Sequence, residues 1–189
     1  YVVERNDLEA DEKVSRIYMV SIDGAATIAM TGETYSASDP RWSPDGRYLS
    51  FIAARDDLDE EAEAQVYTLD LRGGEAEAYT NVRQGVIEHD WAPSGDRLLL
   101  AIRDESAAQK AARAAREKGE GEPLLPVVID RLQFKEDGVG YLDRSRRHYY
   151  VQEGRLAAPK QLTFGDYDDY EGAWSPDGAR IAFTSNRTE

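Results

Sequence analysis

Trp42-Ser43-Pro44-Asp45-Gly46-Arg47 runs straight into the apolar stretch Tyr48-Leu49-Ser50-Phe51-Ile52, and the same order of residues returns twice. Trp91-Ala92-Pro93-Ser94-Gly95-Asp96-Arg97 leads into Leu98-Leu99-Leu100-Ala101-Ile102, and Trp174-Ser175-Pro176-Asp177-Gly178-Ala179-Arg180 leads into Ile181-Ala182-Phe183-Thr184. Pro presets φ for the first central position of a tight turn, Asp or Ser tolerates the second, and Gly accepts a positive φ at the exit. Each copy therefore reads as a hairpin joining two antiparallel strands. The strand after the second copy, Leu98 to Ile102, has no polar residue, so both of its faces must be covered. Radially stacked sheets provide that cover. An aromatic-led, WD-like hairpin repeat of this kind points to blades of about 40–50 residues around an axis.

The neighbouring segments fit the same unit. Gln65 to Leu71 alternates with period two and meets Gly73-Gly74, after which Glu77-Ala78-Tyr79-Thr80 returns as an outer strand. Ile17 to Ile22, then Asp23-Gly24, then Thr27 to Thr31, is the same strand–turn–strand pair, and His148 to Gln152 with Gln161-Leu162-Thr163 repeats it. Trp42 and Trp91 are 49 residues apart, and Trp91 and Trp174 are 83 apart, about two periods. Phe134-Lys135-Glu136-Asp137-Gly138 falls near the middle of that longer gap and reads as a worn copy of the hairpin; the competing reading makes residues 104–147 one long insertion in a single blade.

The expected fold is all-β: a partial β-propeller of four-stranded antiparallel blades, two to three complete and two partial. On this division residues 1–38 are a partial blade and 39–88 a full one. Residues 89–133 are a third with a helical insert at 104–122, 134–170 a degenerate blade, and 171–189 a last partial one. The insert begins Asp104-Glu105-Ser106, continues through strong helix formers with basic residues late, and ends at Gly119. That pattern predicts a surface helix near 104–118, about four turns long, with almost no large apolar face. Gly119 to Glu122 is a flexible exit. One strand follows the third signature, and late strands alone precede the first, so the chain reads as a piece of a larger ring. An open ring exposes strand edges and apolar faces, so self-association or marginal stability is expected.

The 37 acidic and 23 basic residues give a net charge of −14, which argues against nucleic acid and anionic membrane as partners and mildly favours basic ligands. There is no cysteine, which points to a disulfide-free, cytoplasmic setting. No apolar run approaches the roughly 20 residues of a membrane helix.

The hairpins together with Asp39 to Gly46, Gln65 to Gly74, Pro126 to Leu132 running into Gly138-Val139-Gly140-Tyr141, Gln161 to Gly165 and Phe183 to Arg187 resemble the N-terminal propeller of prolyl oligopeptidase-family serine peptidases, in the acylaminoacyl peptidase-like branch. The stretch Asp104 to Tyr141 favours that branch over Tol-type propellers, which share the hairpin. The resemblance implies a propeller that gates short or N-acylated peptides for an α/β-hydrolase domain. The Gly-x-Ser-x-Gly elbow of such a domain is absent here, so the chain alone should be inactive, with the remaining blades and the hydrolase domain as its partners. The alternative is a Tol-type scaffold that binds proteins; a glycosidase or lyase propeller is a third reading, disfavoured because the acidic residues cluster between strands.

No residue is assigned a catalytic, cofactor-binding or metal-binding role, and no cofactor is expected. His89, next to Asp90, and His148 are the two histidines, and both read as packed strand residues rather than bases. Asp166, Asp168, Asp169 and Glu171 lack the spacing of a calcium loop and read as a solvated inter-blade loop. Asp56, Asp57, Asp59, Glu60, Glu61 and Glu63 form a second acidic run that could attract a peptide amine. Arg113 and Arg116 read as solubilising charges on the helix, with a peptide carboxylate as the other reading. The three tryptophans are expected to be buried at blade junctions.

Overall fold

Two backbone bonds of the hairpin recur in every copy: the first residue's N–H donates to the carbonyl five residues on, and the glycine N–H donates back to the first residue's carbonyl. In the computed structural model, which describes residues 1–7, 12–55, 63–121, 123, 129, 132, 135–136, 140–141 and 144–187, the Gly46 N–H donates to the Ser43 carbonyl (2.8 Å). Ser43 Oγ donates to Asp45 (2.5 Å) and accepts from the Tyr48 N–H (2.9 Å). Ser175, Asp177, Gly178 and Arg180 repeat those bonds. Ala92 replaces the serine in the middle copy and keeps the two backbone bonds. Gly46, Gly95 and Gly178 leave these turns at φ of 69°, 76° and 65°, where a side chain would be strained.

These turns organise four antiparallel sheets. The first contains β1 (Val2–Asp7), β2 (Glu12–Val20) and β3 (Thr27–Ala29). The second contains β4 (Ala37–Trp42), β5 (Tyr48–Ala53), β6 (Gln65–Asp70) and β7 (Glu77–Ala78) in sequence order. The third begins with β8 (Glu88–Trp91) and β9 (Arg97–Arg103). The helix α1 (Ala107–Glu117) and the small pair β10 (Lys135–Glu136) and β11 (Gly140–Tyr141) come next. The third sheet is then completed by β12 (Arg147–Glu153) and β13 (Lys160–Gln161), in the order β13-β12-β9-β8. The fourth contains β14 (Asp169–Trp174) and β15 (Ile181–Ser185).

The third sheet corrects the division at 133/134. β12 pairs with β9 in unbroken register, Arg147 opposite Arg103 through Glu153 opposite Arg97. The Asp104 N–H donates to the Arg146 carbonyl (2.6 Å) and closes the base of the intervening segment. β8, β9, β12 and β13 thus form one blade with an insertion between β9 and β12, and among the described residues no separate blade spans 134–170. Phe134, Asp137 and Gly138 of the expected worn hairpin lie outside the described residues, as do 124–128.

The faces of the strands show why the sheets stack. Leu98, Leu100 and Ile102 point to one side of β9 and join Trp91, Ile52, Val66, Val82 and Val86; Leu99 and Ala101 point to the other and join Tyr149, Trp174, Ile181 and Phe183. β5 divides likewise: Leu49, Phe51 and Ala53 pack against Ile17 of the first sheet, while Ile52 faces the third. Three apolar seams alternate with four sheets, which is the layering that a strand buried on both faces requires.

Candidate functional site

The three strands that end in tryptophan, β4, β8 and β14, are edge strands of their sheets. Aligned on the tryptophan, they place Asp39, Glu88 and Glu171 in one column, three residues before the ring. Asp39 (φ 49°) and Glu171 (φ 54°) sit in β-bulges of β4 and β14, a backbone that costs energy for a residue with a Cβ and re-aims the side chain. β8 pairs without a bulge.

His89 is fully buried at the seam of the second and third sheets. Its carboxylate partner is Asp39, from the preceding sheet, rather than the adjacent Asp90: Nδ1 lies 3.2 Å from Asp39 Oδ2. Nε2 lies 2.7 Å from Ser50 Oγ, which accepts from Trp91 Nε1 (2.8 Å) and donates to the Arg41 carbonyl (3.2 Å). The order Ser–His–Asp matches a hydrolytic relay, yet Ser50 is sealed under the Trp91 indole with no exposed surface. This group staples two sheets and offers no nucleophile to a substrate. Burial acts to raise the Asp39 carboxyl, but hydrogen bonding and charge from His89, with the charge of Arg41, outweigh it and hold it below its ordinary value.

His148 does the same work at the next seam. Nδ1 faces Asp169 Oδ2 (3.3 Å) and Nε2 faces the Gly165 carbonyl (3.1 Å). Asp169, fully buried, also receives Arg187 (3.0 Å). Burial pushes its carboxyl up, and bonds from Thr163, Ser185, Arg187 and His148 pull it to a net position below the usual range. Asp168 accepts from the Arg147 N–H (2.9 Å) and Asp166 from Arg146 (2.7 Å). The segment read as a solvated acidic loop is therefore corrected at Asp168 and Asp169, which are buried and partnered by donors from neighbouring strands. Among the described residues no grouping of His, Asp and Glu could hold a metal ion. Asp56 to Glu61 lie outside the described residues. On α1, Arg113 is committed to Glu105 (3.0 Å) and Glu117.

Arg41, Glu88, His89, Asp90, Leu99, Tyr149 and Gly172, from β4, β8, β9, β12 and β14, line a cleft of about 220 Å³. Leu99 and Tyr149, both almost fully buried, border it from β9 and β12. The Tyr149 hydroxyl accepts from the Gly172 N–H (2.5 Å). A Cβ on Gly172 would lie 2.5 Å from the Tyr149 ring, so glycine there lets β14 approach this closely. Glu88 is ion-paired to Arg147, whose guanidinium is almost wholly buried and lies over the Tyr170 ring. Burial raises the Asp90 carboxyl and the Tyr149 hydroxyl above their ordinary values. A cleft so lined can bind polar groups, and among its residues there is no exposed nucleophile.

No family model matches the chain. Over all 189 residues it is 32% identical to the uncharacterized peptidase YuxL of Bacillus subtilis (strain 168), of which it spans 28%. It superposes on an acylaminoacyl peptidase, solved in complex with Z-Gly-Gly-Phe-chloromethyl ketone, with a TM-score of 0.64 at 19% identity, covering 97% of this chain and 25% of that one. This chain has the fold of a β-propeller segment and spans about a quarter of the length of the peptidase it matches. The same propeller segment also superposes on a TolB-type protein of Agrobacterium tumefaciens, with a TM-score of 0.56 at 18% identity, over 93% of this chain and 52% of that one.

Within the propeller segment, the tryptophans differ. Trp91 is 8% exposed, and Trp174 is partly buried with Nε1 toward the Asp90 carbonyl (3.4 Å). Trp42 is 50% exposed, which corrects the expectation of three buried rings. Trp91 and Trp174 pack on β5 and β8 of the sheet before; among the described residues the first sheet has no strand inward of β1 to receive Trp42. Sequence reasoning missed Ser50, Arg147, Tyr149 and Gly172. Stacking the three strands on their tryptophans would have exposed the acidic column, but these four have no counterpart in a local motif.

Proposed function

We propose that this propeller segment gates substrate for a serine peptidase of the prolyl oligopeptidase family, one that hydrolyses short or N-acylated peptides. The nucleophile, acid and base then belong to an α/β-hydrolase domain outside this chain, and the propeller acts by size exclusion and orientation. The observation that carries the reading is the full-length match to a protein named a peptidase, of which the chain spans little more than a quarter. The cleft supports it: polar groups for a peptide, no exposed nucleophile. The partners on this reading are the peptide, the hydrolase domain and the remaining blades, and the setting is cytoplasmic. The test uses the full-length gene product with N-acetyl-alanine p-nitroanilide and a folded protein of ordinary size. Hydrolysis of the anilide alone, blocked by a fluorophosphonate, is expected; no hydrolysis would overturn the reading.

The superposition on the TolB-type protein favours a second reading, a scaffold that binds protein partners without chemistry. A Gly-x-Ser-x-Gly elbow encoded downstream selects the first, and a stop codon after the last blade selects the second.

A further inference from the structure

We propose that the turn joining β12 to β13 is a strap that locks the third sheet onto the second, so that these two sheets move as one body and the first sheet is the one free to part from them. The inference concerns how the segment moves and does not depend on the peptidase reading. β7 is an edge strand of the second sheet, and an edge leaves backbone groups to be satisfied from elsewhere. The third sheet supplies the donors. The Leu156 N–H (2.7 Å) and Gln152 Nε2 (2.9 Å) both donate to the Tyr79 carbonyl. Arg155 Nε donates to the Ala78 carbonyl (2.8 Å), and its guanidinium is ion-paired to Glu77 at 2.9 Å. Three consecutive residues of the second sheet are thus held by one turn of the third. The strap is anchored at its own base, where the Gly154 N–H donates to the Asp96 carbonyl (3.2 Å).

Leu156 shows that the strap is held against a local cost. Its φ is 56°, a left-handed backbone that is strained for a residue with a Cβ, and its side chain is half exposed. Such strain persists where surrounding contacts impose it, and here the strained backbone gains the bond to Tyr79. The second seam is therefore tied at both edges of the second sheet, at β4 by Asp39 to His89 and at β7 by the strap. The first seam is built differently. Its core is apolar, with Ile17 against Leu49, Phe51 and Tyr67. Ser15 adds two bonds, from its N–H to Ser36 Oγ (3.1 Å) and from its Oγ to the Ala37 carbonyl (3.0 Å). The turn of the second sheet that corresponds to the strap, Leu71 to Ala76, bonds within its own sheet: the Leu71 N–H to the Arg47 carbonyl (3.0 Å) and the Ala76 carbonyl to Arg55 (3.0 Å). Among the described residues it makes no hydrogen bond to β3.

Site-resolved amide exchange of the full-length protein tests this, because each seam has a backbone N–H that donates across it, Leu156 to Tyr79 at the second and Ser15 to Ser36 at the first. After correction for intrinsic rates, the Leu156 amide is expected to exchange at least about tenfold more slowly than that of Ser15. Any smaller difference in the wild-type protein overturns the proposal. Arg155→Ala removes the bond to Ala78 and the pair with Glu77, at a side chain that is half exposed. It is expected to quicken exchange at both Leu156 and Tyr79 by at least about tenfold while the amides that join β8 to β9 stay unchanged. Faster exchange at Leu156 with Tyr79 unchanged would show a turn that frays without holding the sheets together, and would overturn the proposal as well.

Discussion

The two tryptophans at the ends of β4 and β8 occupy the same place in the repeat and different places in the energetics. Trp91 buries its ring and donates Nε1 to Ser50, so Trp91→Ala should cost about 3–5 kcal/mol. Trp42 is half exposed, and Trp42→Ala should cost less than about 1 kcal/mol. Urea unfolding of both variants checks this; equal losses would mean that the repeat position, rather than burial, sets the energy. The turn chemistry was legible in Ser-Pro-Asp-Gly because every bond in it is local. The partners of His89 and His148 were not legible, because Asp39 and Asp169 reach them across seams between sheets. Those two carboxyls also set an acid limit. Both titrate below their ordinary value when folded, so their charged forms stabilise the fold above the unfolded value of about 3.9, and that contribution is lost as pH falls through the folded values. Stability should therefore drop below about pH 4. Asp169→Asn should be less stable at neutral pH and show a shallower acid slope; an unchanged slope would assign the acid limit to other groups.

At the level of elements, the insertion between β9 and β12 deceived the spacing argument for a physical reason. It is about one blade period long, so a count of residues between tryptophans cannot distinguish an extra blade from an excursion. What distinguishes them is pairing: β12 completes the sheet of β8 and β9, and a long connection of this kind costs little more entropy than a short one. The helix inside it was legible because its signals are local. Ser106 caps α1 with a full capping box to Gln109, one residue before the first helical position. The helix is 11 residues long, about three turns rather than four, because Lys118 and Gly119 (φ 70°) end it. Ser106→Ala should cost the helix about 0.5–2 kcal/mol. Amide exchange should then quicken across 107–117 and stay unchanged in β9, since the bonds of β9 to β8 and β12 do not involve the cap. Faster exchange in both would show that the insertion and the blade unfold as one unit.

Across the whole molecule, the interior of the array and its flanks obey different rules. β5 and β9 have apolar cover on both faces, supplied by the sheets before and after. The flanking sheets have it on one. Among the described residues β1 has no partner on its inner side and β15 none on its outer side, and Val3, Ile28 and Tyr170 are exposed on these sheets. Unpaired edges beside exposed apolar side chains are templates for further strands. The 189-residue chain on its own should therefore show sedimentation that rises with concentration. Val3→Lys, which puts a charge on the β1 edge, should reduce it without altering the third sheet, which lies two sheets away. A monomer at all concentrations that unfolds cooperatively at high temperature would mean that the flanking sheets are capped in solution. The radial stacking inferred from Leu98 to Ile102 would then account for the interior of the array and not for its ends.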